Sequence, residues 1–165
     1  KLEEVDLTDL AKIYLGEILT WKQLRKGLAE EPIRVFGREA TSGTADYFQE
    51  HVLGAKPYAA VVKVMPSSEA LIGAVMGNRL AIGFVGMAQA AKATDKVKVL
   101  KLKLTEQSPE SKQGGSLSGT DYPLSRPLYV YYNQANEERV GKFVSFCLSD
   151  DGQKSVKAMG FMSAH

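Results

Sequence analysis

Cysteine is nearly absent from this chain of 165 residues. Cys147 stands alone, which excludes an internal disulfide and any cysteine-based metal cluster. Histidine is scarce as well, with only His51 and His165. No apolar run approaches the length that spans a bilayer, and the N-terminal KLEEVDLTDL lacks the apolar core of a signal peptide. Neither sign of charge dominates: 21 basic against 19 acidic residues leave a net +2, which implies no strong field. A nucleic-acid surface would show a basic stripe interleaved with aromatics, and none is visible. The densest basic stretch, KATDKVKVLKLK (92–103), alternates Lys with Val and Leu, as on the wet side of a strand.

What is present suits a globular domain with a real core. Apolar residues make up 44% and charged residues 24%, ordinary values for a soluble protein. Thr8–Tyr14 fits a short helix capped by Thr8, with Leu10, Ile13 and Tyr14 on one face and Gly16 at its end. Thr20–Leu24 repeats the pattern for a turn, with Trp21 read as core beside Leu19 and Leu24. Strands are expected at Ile33–Phe36, Ala60–Met65, Leu80–Gly86 and Val97–Leu104, the third buried on both faces and the fourth nearer an edge. Helices are expected at Ala45–Leu53 and from Pro66-Ser67-Ser68-Glu69 to Gly77. Residues 105–121 are polar and rich in Ser and Gly, and read as a long loop. Pro127–Asn133 then reads as a strand, and Glu137–Leu148 and Gly152–Ala158 as helices. Cys147 follows Val140, Phe143 and Val144 at helical spacing, so it is expected to be a buried core thiol. Strands alternating with helices indicate an α/β layered domain.

The stretch GREATSGTADYF (Gly37–Phe48) is where chemistry is expected. It follows an apolar strand and opens a helix, an arrangement that gathers unpaired backbone N–H groups and the positive end of the helix dipole. Gly43 lets a ligand approach the backbone closely, Ser42, Thr44 and Thr41 offer hydroxyls, and Arg38 offers a planar charged fork suited to an oxyanion. The competing reading is that Ser42 or Thr41 simply caps the helix. A reciprocal capping box from Ser42 would need Glu or Gln at 45, where Ala45 stands. Ser118-Gly119-Thr120 repeats the triplet inside the polar loop with no helix behind it, where its amides share no direction.

Enzymatic readings find little support. His51 lies roughly two and a half turns beyond Ser42, too far along the helix to serve as its base. His165 is the last residue, and no phosphate-cradling Gly-x-x-x-x-Gly-Lys loop occurs. The acidic residues Glu3, Glu4, Asp6 and Asp9 suit a solvated helix start better than a metal site. No catalytic residues, metal or cofactor are expected.

Four stretches in order carry a family resemblance: LTDLAKIYLGEILTWKQL, PIRVFGREATSGTADYF, EALIGAVMGNRLAIGFVGMAQA, and YPLSRPLYVYYN with the terminal MGFM. Together they resemble the phosphate-binding proteins of bacterial ABC transporters, the periplasmic solute-binding type with two α/β lobes. The resemblance implies a three-layer α/β/α lobe of a type II periplasmic-binding-protein fold, with a mixed, mostly parallel sheet. It implies that Arg38, Ser42, Gly43 and Thr44, with Thr41 adding a hydroxyl, hold dehydrated phosphate in a cleft between hinged lobes. It divides the chain into a second-lobe-like anion-binding domain at 1–104, the polar loop at 105–121, and a returning strand with helices at 122–165. Hinge crossings are expected near 99–104 and 122–128.

Two departures from the family pattern matter. Its Asp-Gly pair before Ser-Gly-Thr is Ala40-Thr41 here, which leaves Arg38 looser or passes the orienting role to Glu39. The Ser/Gly-rich anion loop and carboxylate of the family's first lobe do not precede Leu7, so a missing N-terminal lobe or a second chain is implied as a partner. Inorganic phosphate and a membrane permease are the other implied partners, and an extracytoplasmic location follows. The alternative is an anion-sensing or protein-interaction module built on the same half-cleft, without transport.

Overall fold

A computed structural model describes residues 2–104 and 124–164. The chain begins with β1 (Glu4–Asp6) and α1 (Leu7–Tyr14), followed by the one-turn α2 (Trp21–Leu24), β2 (Arg34–Arg38) and α3 (Gly43–Leu53). Next come β3 (Lys63–Met65), α4 (Ser68–Met76), β4 (Ala81–Ile82), α5 (Met87–Ala91) and β5 (Lys101–Lys103). A 3-10 turn at Gln134–Asn136 leads into α6 (Glu137–Leu148) and α7 (Asp150–Ala158). Among the described residues every strand pairing is parallel, as strand–helix alternation requires, and the strands lie in two small sheets. One is ordered β3-β2-β4 with β2 central, and the other pairs β1 with β5.

A single apolar cluster joins these parts. Val5, Leu7, Leu10, Ile13 and Tyr14 pack with Ile33 and Val35 of the β2 segment and with Phe48, Val52 and Leu53 of α3. Phe48 stacks on Phe84 at 3.9 Å between ring centres and meets Tyr14 edge-on at 4.8 Å. The fully buried Tyr14 donates its hydroxyl to the Phe36 carbonyl at 2.9 Å, pinning the end of β2 to α1. Burial pushes the Tyr14 phenol well above its ordinary pKa of 10.0.

Helix ends are settled locally. Asp6, not Thr8, caps α1, its carboxylate accepting from the Thr8 amide at 2.9 Å. Thr20 and Gln23 form a reciprocal capping box on α2. Trp21, expected as core, is half-buried, and its indole N–H donates to the Leu80 carbonyl at 3.1 Å. Gly54 ends α3 in the left-handed region at φ 60°, a conformation that glycine adopts without steric cost.

Several expected strands are shorter than their apolar runs. Of 80–86 only Ala81–Ile82 pairs, and among the described residues β4 lies at the sheet edge beside β2. Of 97–104 only Lys101–Lys103 pairs, with β1. Of 60–65 only Lys63–Met65 pairs, and β2 runs two residues past Phe36 to Arg38. The stretch 127–133 forms no strand, and Leu128, Tyr129, Val130 and Tyr131 are 57–88% exposed. Strand propensity is expressed only against a neighbouring ladder, and among the described residues none pairs with it. Nor is α6 a core helix. It has no fully buried residue, Phe143 is exposed, and Cys147 is half-buried and not a core thiol. The α6–α7 corner is held instead by buried Gln153, whose amide donates to the Cys147 carbonyl and accepts from the Ala164 N–H, both at 2.6 Å. The polar loop at 105–121, its Ser-Gly-Thr copy and His165 lie outside the described residues.

Candidate functional site

β2 ends at Arg38, and the chain turns through Glu39–Thr41 into α3 at its N-cap, Ser42. Two helix-building bonds are made at once: the Ser42 side chain accepts from the Ala45 amide at 3.4 Å, and the Asp46 amide donates to the Ser42 carbonyl at 3.0 Å. Ser42 also closes the turn by donating its own amide to the Glu39 carbonyl at 3.0 Å. The cap therefore exists, as one of the two sequence readings required, but it occupies only the Ala45 donor. The amides of Gly43 and Thr44, the first two helical residues, have no acceptor among the described residues. An 11-residue helix aims its positive dipole end at the same place.

Arg38 is held by the segment that opens α4. Its Nη1 donates to the Ser68 hydroxyl at 2.8 Å and its Nη2 to the Pro66 carbonyl at 3.4 Å, while its Nε is buried without a partner. No hydrogen bond joins it to Ser42 or Thr44 among the described residues. Glu39 does not orient it; that role falls to Ser68 and Pro66 at the start of α4. The carboxylate in its field is Glu69. Bonding to its own backbone N–H and to the Ser67 hydroxyl holds the Glu69 carboxyl below its usual range, and the Arg38 charge adds to the effect. Thr41 is exposed in the turn and makes no bond there, and Thr44 is half-buried.

Behind the turn lies a cavity of about 210 Å³, lined by Arg38, Glu39, Ala45, Gln49 and Tyr58 among others. Ser42, Gly43 and Thr44 do not line it. Tyr58 packs across Gly37, where a Cβ would meet its ring at 3.1 Å. Its hydroxyl is buried without a partner, and burial raises its pKa despite the opposing pull of Arg38. His51 is stacked on Tyr47 at 3.9 Å with Nδ1 at 3.0 Å from the Tyr47 carbonyl. Sequence reasoning missed two site neighbours, Ser68 and Arg126. The Ser68 signal was readable in Pro66-Ser67-Ser68-Glu69, where only one of two adjacent serines can cap a helix. Ser67 does so, leaving Ser68 for Arg38.

The central strand β2 ends at Arg38 and leads into a helix whose first two amides are unpaired among the described residues, at the end of the strands where ligands sit in open α/β sheets. The chain belongs to a family described as the PBP superfamily domain, whose model matches residues 1–151. It is 26% identical over 166 aligned residues to the phosphate-binding protein PstS of Staphylococcus aureus, covering 99% of this chain and 50% of the relative. The crystal structure of a putative phosphate ABC transporter substrate-binding protein with bound phosphate from Clostridium perfringens superposes with a TM-score of 0.76 at 29% identity. It covers 99% of this chain and 64% of that one. An ABC-type phosphate transport receptor from Vibrio cholerae gives a TM-score of 0.74 at 27% identity, covering 98% and 64%. These neighbours share the type II periplasmic-binding fold expected from the sequence. The chain spans about half the length of the curated relatives it matches.

Proposed function

We propose that this chain forms one jaw of a cleft for inorganic phosphate. It acts as the solute-binding component, or part of one, of an ABC phosphate uptake system and performs no catalysis. The observation that carries this reading is the pair of unpaired Gly43 and Thr44 amides opening α3 immediately after Arg38, in a chain similar along nearly its whole length to PstS. Amides, hydroxyls and a guanidinium all donate, and a tetrahedral oxyanion stripped of water is all acceptor. Arg38, Ser42, Gly43 and Thr44 hold the anion, with Thr41 at the rim of the turn.

The family likeness extends the reading to a membrane permease as partner and an extracytoplasmic location. The opposing jaw is an N-terminal lobe or a second chain. The exposed apolar run Leu128–Tyr131 supports such a neighbour, since water is a poor environment for it.

Calorimetric titration of the chain with phosphate, beside Arg38→Ala, tests the proposal. Losing a charged hydrogen-bond donor should cost about 1.5–3 kcal/mol of binding. Absence of any heat of phosphate binding in the unmodified chain would reject the function. Equal binding by Arg38→Ala would remove that residue from the site.

A further inference from the structure

Resting on the phosphate-binding reading, we propose that Arg126 is a further ligand of the anion, reaching it beside the first residue of α3. The segment carrying it crosses α3 and is tied there, because the Tyr47 hydroxyl donates to the Ser125 carbonyl at 3.4 Å. The Arg126 guanidinium then lies over the Tyr47 ring, 5.1 Å from its centre. Its Nη2 comes within 3.5 Å of where a Cβ on Gly43 would stand, so the fork rests against the first residue of the helix. An alanine Cβ at 43 would make ordinary contact with that nitrogen.

This is an unfavourable place for a lone cation. The α3 dipole presents positive charge there, and the Gly43 and Thr44 amides point partial positive charge the same way. Among the described residues no carboxylate forms an ion pair with Arg126, and its contact there is with the Tyr47 ring, which takes up none of its charge. An oxyanion accepting from the Gly43 and Thr44 amides turns that repulsion into attraction, and a guanidinium offers phosphate oxygens a planar fork of N–H donors. Arg38 spends one N–H of each terminal nitrogen on Ser68 and Pro66, so a second guanidinium adds donors that Arg38 does not supply alone.

The test is phosphate titration of the full chain at low and at raised ionic strength, with Arg126→Gln, Arg126→Lys and Arg38→Ala alongside. Arg126→Gln should bind roughly tenfold more weakly at low salt, the effect of one charged hydrogen bond at an exposed position. Its affinity should also fall less steeply with salt than that of the unmodified chain, since one screened charge is gone. Arg126→Lys, which keeps the charge but loses the fork, should fall between the two. Arg126→Gln binding as tightly as the parent, while Arg38→Ala is weakened, would overturn the proposal and leave the phosphate reading intact. A weakened Arg126→Gln with an unchanged salt slope would also overturn it, by showing a purely structural role. No phosphate binding by the unmodified chain would overturn both.

Discussion

Ser68→Ala isolates the bond that positions the candidate arginine. Ser68 is the first residue of α4 but not its cap, since Ser67 accepts the Ala70 amide at 3.1 Å. Its hydroxyl accepts from Arg38 Nη1 at 2.8 Å in a half-buried setting. A hydrogen bond to a charged group contributes about 1.5–3 kcal/mol when shielded, and partial exposure lowers that to about 1–2 kcal/mol. Alanine returns about 0.3–0.5 kcal/mol through its better helix propensity. The net loss should be about 0.5–1.5 kcal/mol, or a few degrees of Tm for a chain of this size. Urea unfolding of the parent, Ser68→Ala, Arg38→Ala and the double variant measures the coupling directly. The reasoning requires a coupling of about 1 kcal/mol, with phosphate affinity falling less in Ser68→Ala than in Arg38→Ala. Additive single effects, with no coupling beyond error, would show that Ser68 does not hold Arg38.

Phe48→Ala removes a ring that is 3% exposed and packed against Phe84 and Tyr14, and should cost about 3–5 kcal/mol in denaturant unfolding. Gly152→Ala places a Cβ 2.0 Å from the Phe146 carbonyl oxygen, a backbone atom that cannot swing away, so the α6–α7 corner must open. A loss of roughly 1–3 kcal/mol is expected, with increased amide exchange confined to α6 and α7. Tyr14 and Tyr58 both have raised phenol pKa values in the folded chain, so their neutral forms are favoured by folding. That contribution is fully present below the ordinary tyrosine value of 10.0 and is lost as pH climbs above it. Ultraviolet phenolate absorbance should show these two tyrosines ionising last, together with unfolding; ionisation in step with the exposed tyrosines would refute the burial argument.

Local rules made the helices legible. Ser42 and Gly54 bracket α3, and Ser67 and Gly77 bracket α4, because caps are satisfied by atoms a few residues away. The turn between β2 and α3 was legible for the same reason. The strands were less so, since pairing depends on distant partners. Leu80–Gly86 carries an apolar run longer than its one neighbour can pair, and Pro127–Asn133 has strand composition with no ladder beside it among the described residues. Arg126 was invisible to a local reading because it reaches Gly43 across 83 positions of sequence (126 minus 43). Asp6 displaced Thr8 as the cap of α1 for a simpler reason. A carboxylate one residue before the helix reaches the second helical amide, and the helix itself begins at Leu7.

The central claim, that the opening of α3 holds phosphate, is tested most directly by following the backbone amide signals of the full chain during a phosphate titration. The Gly43 and Thr44 amides and the Arg38 guanidinium should shift together and saturate along one binding curve, while the amides inside α6 stay still. Gly43 and Thr44 signals that remain in place as phosphate rises would contradict the account.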